Sequence, residues 1–265
     1  MELTAGKNQW LEKMARTGLA AKGFIYSLIG ILAFMAAFEI GGQSTENADR
    51  SGVMSTVKDL PGGNILLGAL VAGLVCYSAW RMFEAFGMKR KKKNWPKKIR
   101  YAFSALSYLF IAYAAFQVLM FNDSGDNNSH WSQEFIYKDY GKIIVGAVAL
   151  AMAGIGIYQI YYGFSEKYRK KFSASSITSS NAEKLLRSGK IGYTARGIVW
   201  LIISFLLTRA LLHARASEAG DTAKAFGFLE SSAYGSYLLG ALGLGLLAFG
   251  FYNFLRAAYE EFRQE

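Results

Sequence analysis

Six stretches of this chain run almost without charge for about 17–25 residues, the length at which a helix crosses ~30 Å of hydrocarbon. They are Ala20–Phe38, Gly62–Phe83, Tyr101–Phe121, Lys142–Phe164, Ile191–Thr208 and Tyr234–Leu255. A soluble helix confines its apolar residues to one stripe, whereas YAFSALSYLFIAYAAFQVLMF is apolar on every side. The pattern predicts an all-α membrane protein with six transmembrane helices, and a 52% hydrophobic content agrees with it. The first 20 residues mix Glu2, Lys7, Glu12, Lys13 and Arg16 with no continuous apolar core, unlike a cleavable signal peptide. Residues 1–14 instead predict a short amphipathic segment on the membrane interface, with Trp10, Leu11 and Met14 on its apolar side.

The net charge of +11 is distributed as membrane topology requires and does not call for nucleic acid. Gly87–Arg100 holds eight Lys or Arg and no acid, and Ser165–Lys190 holds seven against two acids. The alternate connections are different: Ile40–Gly62 has two basic and three acidic residues, and Asn122–Tyr140 has one and four. Short loops rich in Lys and Arg stay in the cytoplasm. That rule places both basic loops and both termini in the cytoplasm of a cell whose plasma (inner) membrane the chain crosses six times.

The chain repeats internally. When Lys22-Gly23 is set on Arg196-Gly197, Gly18 falls on Gly192, Arg16 on Lys190 and Tyr26 on Trp200. In the return segment, LLGALVAGL at Leu66 lies over LLGALGLGL at Leu238, and VGAVALAMAG from Val145 brings Gly146 onto Gly68 and Gly240. The middle copy sets Tyr108 on Tyr26 and carries Ser104-Ala105 where its neighbours have Lys-Gly or Arg-Gly. Three parallel two-helix repeats follow, at 15–89, 97–172 and 187–262, with a pseudo-threefold arrangement as the expected architecture. The outward loops repeat too: Asp49, Val53-Met54, Val57 and Gly63 align with Asp221, Ala225-Phe226, Leu229 and Gly235. Trp131 and Phe135 fit the same frame in the middle copy. Each outward loop predicts a short surface helix.

A basic-x-Gly-x-x-x-(Lys/Arg)-Gly entry, a loop ending in Gly and an L-L-G-A-L return helix together resemble the bacterial membrane family catalogued as domain of unknown function 1206. The resemblance runs from about Lys13 to Phe262 and implies paired transmembrane helices in three copies. It implies a fold and a membrane location, and no activity.

Two sets of residues stand out. Small residues four apart, Ala69 and Gly73, Ala147 and Ala151, and Ala241 and Gly245, share one face of each return helix and suit close helix packing. Lys22, Arg81, Glu84, Arg196, Asn253 and Arg256 form a polar set at the cytoplasmic edge, serving as a structural cluster or as a site for an anion or lipid headgroup. Here Lys22, Arg81 and Glu84 are expected at similar depth, as are Arg196, Asn253 and Arg256. Glu84 is the natural partner of Arg81 at i, i+3, or of Lys22. Lys22 and Arg81 are expected to snorkel to a nearby interface.

No catalytic arrangement is visible: there is no G-x-S-x-G, no phosphate loop and no nucleophile beside a base. Cys76 is the single cysteine, and His130 and His213 lack ligand spacing, so neither metal nor cofactor is expected. The leading expectation is a non-enzymatic scaffold or accessory subunit that binds a membrane partner. A small channel or transporter, and a protein that binds anionic lipids of the bilayer, are the alternatives.

Overall fold

The computed structural model describes residues 2–87, 95–121, 139–172, 179–213 and 221–260, and among these every regular element is helical. The α-helices are α1 (Glu2–Ala37), α2 (Arg50–Asp59), α3 (Gly63–Gly87), α4 (Trp95–Phe121), α5 (Asp139–Phe164), α6 (Ser179–Leu212), α7 (Thr222–Glu230) and α8 (Gly235–Tyr259). Six of them, α1, α3, α4, α5, α6 and α8, are long and apolar enough to cross a membrane. Residues 2–14 are helical and are not separated from the helix that follows. They continue into α1 because no proline interrupts residues 2–37, and the helix ends only where Glu39, Gly41 and Gly42 adopt positive φ.

The order of packing is α4, α3, α1, α8, α6, α5. The broadest interfaces are α1 with α8, α5 with α6, and α3 with α4. Those of α6 with α8 and α1 with α3 are narrower, and α4 and α5 share no packed interface. The row curls on itself. Lys22 of α1 lies 5.5 Å from the ring of Tyr108 on α4, and Tyr108 is within electrostatic reach of Arg196 on α6. The result is a six-helix ring open between α4 and α5.

The broad interfaces join one repeat to the next, and their contacts are repeated residue by residue. A β-carbon on Gly23 would lie 3.0 Å from the Gly250 carbonyl oxygen, and one on Gly197 would lie 2.8 Å from that of Gly156. The corresponding middle pair is Ala105 with Ser78, where Ser78 Oγ donates to the Ala105 carbonyl at 2.8 Å. Two turns away, Gly30 meets Gly243 in one seam, and Ser204 Oγ donates to the Ala149 carbonyl at 2.7 Å in another. Helices in lipid gain nothing by hiding apolar surface from one another, so contacts of this closeness, with a hydrogen bond where a serine is available, hold the ring together.

The narrower interfaces lie within repeats, and they explain the opening. In repeat 1, Gly18 packs on Tyr77, and a β-carbon on Gly73 would come 2.7 Å from that of Ala21. In repeat 3, Gly192 packs on Phe249 and Gly245 on Ala195. Repeat 2 has Arg100 where the others have Gly18 and Gly192, and Phe103 where they have Ala21 and Ala195. Phe103 brings bulk where the other repeats make their closest contact, and it is left exposed instead of packed against α5. The middle repeat, 97–172, is therefore not a packed hairpin: α4 is built onto α3 and α5 onto α6.

Of the repeated loops, two form the expected surface helices. Asp49 accepts from the Gly52 amide at 2.7 Å to start α2, and Asp221 accepts from the Lys224 amide at 3.0 Å to start α7. Val53, Met54 and Val57 of α2, and Ala225 and Phe226 of α7, are buried. Trp131 and Phe135 of the middle copy lie outside the described residues. At the opposite end, Arg16 donates to the Ala257 and Ala258 carbonyls and ties the start of the spanning part of α1 to the end of α8.

Candidate functional site

Helical spacing puts Lys22 and Tyr26 of α1 on one face, one turn apart, and that face turns into the ring. Lys22 stands ten residues, ~15 Å, along the candidate span Glu12–Ala37, whose first turns carry Glu12, Lys13 and Arg16. It is 7% exposed, and its ammonium lies over the rings of Phe249 at 5.4 Å, Tyr108 at 5.5 Å and Tyr77 at 5.9 Å. Lys22 is thus buried against rings inside the bundle, where the sequence reading expected it to reach toward an exposed edge. The helix starts well before Ala20, so the residue enters the interior with α1. Its side chain runs back toward the N-terminus of α1, as helical side chains do, and ends among rings.

The expected equal depths fail for the same reason. Ala21 packs on Gly73, which sets Lys22 about two turns deeper than Arg81; Ala195 packs on Gly245, which sets Arg196 about two turns deeper than Asn253. The polar set divides into a pair of deep cations, Lys22 and Arg196, and a shallower group near the chain termini.

In the shallower group each cation has its own acid. Arg81 pairs with Glu84 at 2.7 Å, as the i, i+3 spacing predicts, and donates through Nε and Nη2 to Tyr77 Oη at 3.0 and 2.8 Å. The Arg81 guanidinium also lies over Trp80 at 4.4 Å and Tyr101 at 5.2 Å, so rings help to hold it in place. Arg256 makes two hydrogen bonds to Glu260, at 2.5 and 3.1 Å, in a pair whose side chains are 4% and 6% exposed. Asn253 is buried but donates to the Phe249 carbonyl of its own helix at 2.7 Å, which makes it a helix-internal group.

Around these cations stand two sets of aromatic rings, one built on Tyr193 and Phe249 and one on Tyr77 and Tyr108. Tyr193 touches Phe249, Tyr252, Tyr162 and Tyr168 at centroid distances of 4.9–5.7 Å. Tyr26 meets Phe249 edge-on at 4.8 Å, and Tyr77 meets Tyr108 at 4.5 Å. Tyr168 follows α5 in a 3-10 turn, Lys167–Lys171, and burial, with the Glu166 carboxylate adding to it, pushes its phenol up to about 12. The phenol stays neutral at ordinary pH, consistent with a packing role.

Arg196 differs from the other cations. Its guanidinium lies 5.2 Å from the rings of both Tyr26 and Phe249, and its buried Nε has no hydrogen-bond partner among the described residues. From the loop end Arg50 of α2 reaches in, and its Nη2 donates to Tyr26 Oη at 3.4 Å. Sequence reasoning missed Arg50, Tyr26, Phe249 and Glu260. Glu260 was legible as the residue four after Arg256, whereas the inward reach of Arg50 depends on how α2 lies over α1.

The six residues expected to pack divide in two. Gly73 and Gly245 are buried in the within-repeat interfaces, while Ala69, Ala147, Ala151 and Ala241 are exposed on the outside of the ring. Ala69, Ala147 and Ala241 lie one turn from the contact line and face outward. Ala151 is uncovered because its counterpart is Phe103. Among the described residues no group of three or more His, Cys, Asp or Glu side chains comes together.

Comparison with known proteins places the chain beside others. A family model described as "Domain of Unknown Function (DUF1206)" matches residues 17–87, 99–166 and 191–260, one segment for each repeat. "Uncharacterized protein YxxB" of Bacillus subtilis (strain 168) is 26% identical over 261 residues, which cover 97% of this chain and 94% of that relative. No solved structure matches.

Proposed function

The chain belongs to the family described as Domain of Unknown Function (DUF1206), and from that premise we propose that it is a non-enzymatic accessory protein of the bacterial plasma (inner) membrane. Its partner is another membrane protein, one helix of which seats against α5 on the open side of the ring. The observation that carries this reading is the uncovered small-residue line Ala147, Ala151 and Gly154. In the other two repeats the equivalents of Ala151 are Gly73 and Gly245, and each is covered by a helix of this chain. On α5 the same position faces outward, and no atom lies within 4 Å of where a β-carbon on Gly154 would stand. The two basic loops put both termini in the cytoplasm. A ring centre filled by Tyr77, Phe249 and Tyr252, each 0–1% exposed, favours this reading over a channel.

The test is site-directed cross-linking in native membranes from cysteines at Ala151 and Gly154, in a Cys76→Ala background. A cross-link to one defined membrane protein, abolished by Ala147→Leu on the same face, is expected. Cross-links to lipid alone would refute the reading. A second reading, binding of an anionic headgroup, is favoured by the deep cations.

A further inference from the structure

Arg196 has donors and no acceptor. Among the described residues it makes no hydrogen bond and no ion pair; its contacts are the faces of Tyr26 and Phe249. Phe249 also carries Lys22 on it at 5.4 Å, so two cations meet at one ring. Arg50 adds a third charge one hydroxyl away, since it donates to Tyr26 Oη and leaves the Tyr26 hydrogen available to another acceptor. Of the nearby carboxylates, Glu84 holds Arg81, Glu260 holds Arg256, and Asp49 caps α2 and favours the charge of its neighbour Arg50, which leaves Arg196 as the cation with no acid of its own among the described residues. The ring faces on Arg196 offset part of the cost of holding its charge in a poorly solvated interior, and they supply no negative charge.

We propose that a phosphate group occupies this cluster. The planar guanidinium of Arg196 receives two of its oxygens in the fork geometry that arginine offers and lysine does not. Tyr26 Oη donates to the same group, and Lys22 and Arg50 stabilise its charge. Arg196 keeps some exposure, and the missing α4–α5 interface leaves one side of the ring without a helical wall. An anionic phospholipid headgroup and free inorganic phosphate offer the same chemistry. The site is distinct from the outer face of α5, and its test is independent of any protein partner.

The full-length protein is purified in detergent and, separately, in nanodiscs of phosphatidylcholine with or without phosphatidylglycerol. Native mass spectrometry and thermal unfolding then read occupancy. A saturable rise in the unfolding midpoint with inorganic phosphate identifies a free-anion site. A retained phosphatidylglycerol adduct, with stabilisation only in the anionic nanodiscs, identifies a lipid site. Wild-type protein that shows neither overturns the proposal. Arg196→Gln is expected to weaken binding at least tenfold. Arg196→Lys, which keeps the charge and loses the fork, serves if the glutamine variant does not fold and is expected to bind several-fold more weakly. Wild-type affinity in either folded variant overturns the proposal as well.

Discussion

Gly23 of α1 and Gly250 of α8 face each other so closely that a β-carbon on the first would stand 3.0 Å from the carbonyl oxygen of the second. The pair joins the last repeat to the first, and its counterparts Ala105 with Ser78 and Gly197 with Gly156 join the others. Side-chain size at this position sets the spacing of the ring.

Gly250→Leu is therefore expected to destabilise the protein by about 1–3 kcal/mol or more, because the added side chain meets Ser27 of α1 with no room to yield. Gly68→Ala is the control, since nothing lies within 4 Å of the added atom. It is expected to be neutral or stabilising by up to about 1 kcal/mol. Unfolding in mixed detergent micelles measures both, and equal effects would contradict the assignment of this seam.

The opening between α4 and α5 predicts unequal behaviour at three equivalent positions. In a Cys76→Ala background, cysteine pairs replacing Ala21 and Gly73, or Ala195 and Gly245, should oxidise readily, since a shift of about an ångström brings them to disulfide spacing. The pair replacing Phe103 and Ala151 should not. Fast disulfide formation at that third pair would show a closed ring.

Two ion pairs at the terminal end should differ in their contribution to stability. Glu260→Gln strands Arg256 in a site only a few per cent exposed and is expected to cost about 3–5 kcal/mol. Glu84→Gln removes a partner whose side chain is 31% exposed, from an arginine that Tyr77 also holds, and should cost no more than about 1 kcal/mol. Thermal unfolding of the two variants decides, and a larger loss from Glu84→Gln would reverse the assignment.

Topology is tested by labelling. In the Cys76→Ala background, Asp59→Cys on α2 should react with an impermeant maleimide added to intact cells, and Lys184→Cys near the start of α6 should react only after permeabilisation. Both side chains are exposed, so access depends on the side of the membrane alone. The opposite pattern would invert the reading drawn from the basic loops.

Much of the fold was legible because its signals are local. Uncharged runs marked the spanning helices, Asp49 and Asp221 marked the starts of the loop helices, and repeated glycines marked the frame of the three copies. The spacing of Arg81 and Glu84 was enough to pair them. The depth of Lys22 was not legible, since counting charge placed the start of its span at Ala20 while the helix carries Glu12 and Arg16 with it.

By itself, the sequence determined that six apolar helices arise from three copies of one unit, because length and hydropathy limit what a bilayer accepts. It also held the reason for the open ring in Phe103, but that residue acquired meaning only once Ala21 was seen against Gly73. Tertiary structure alone decided which helices meet across repeats and which cations share Phe249. Those relations depend on how close two backbones come, and closeness is a property of a pair of helices that neither sequence segment carries alone.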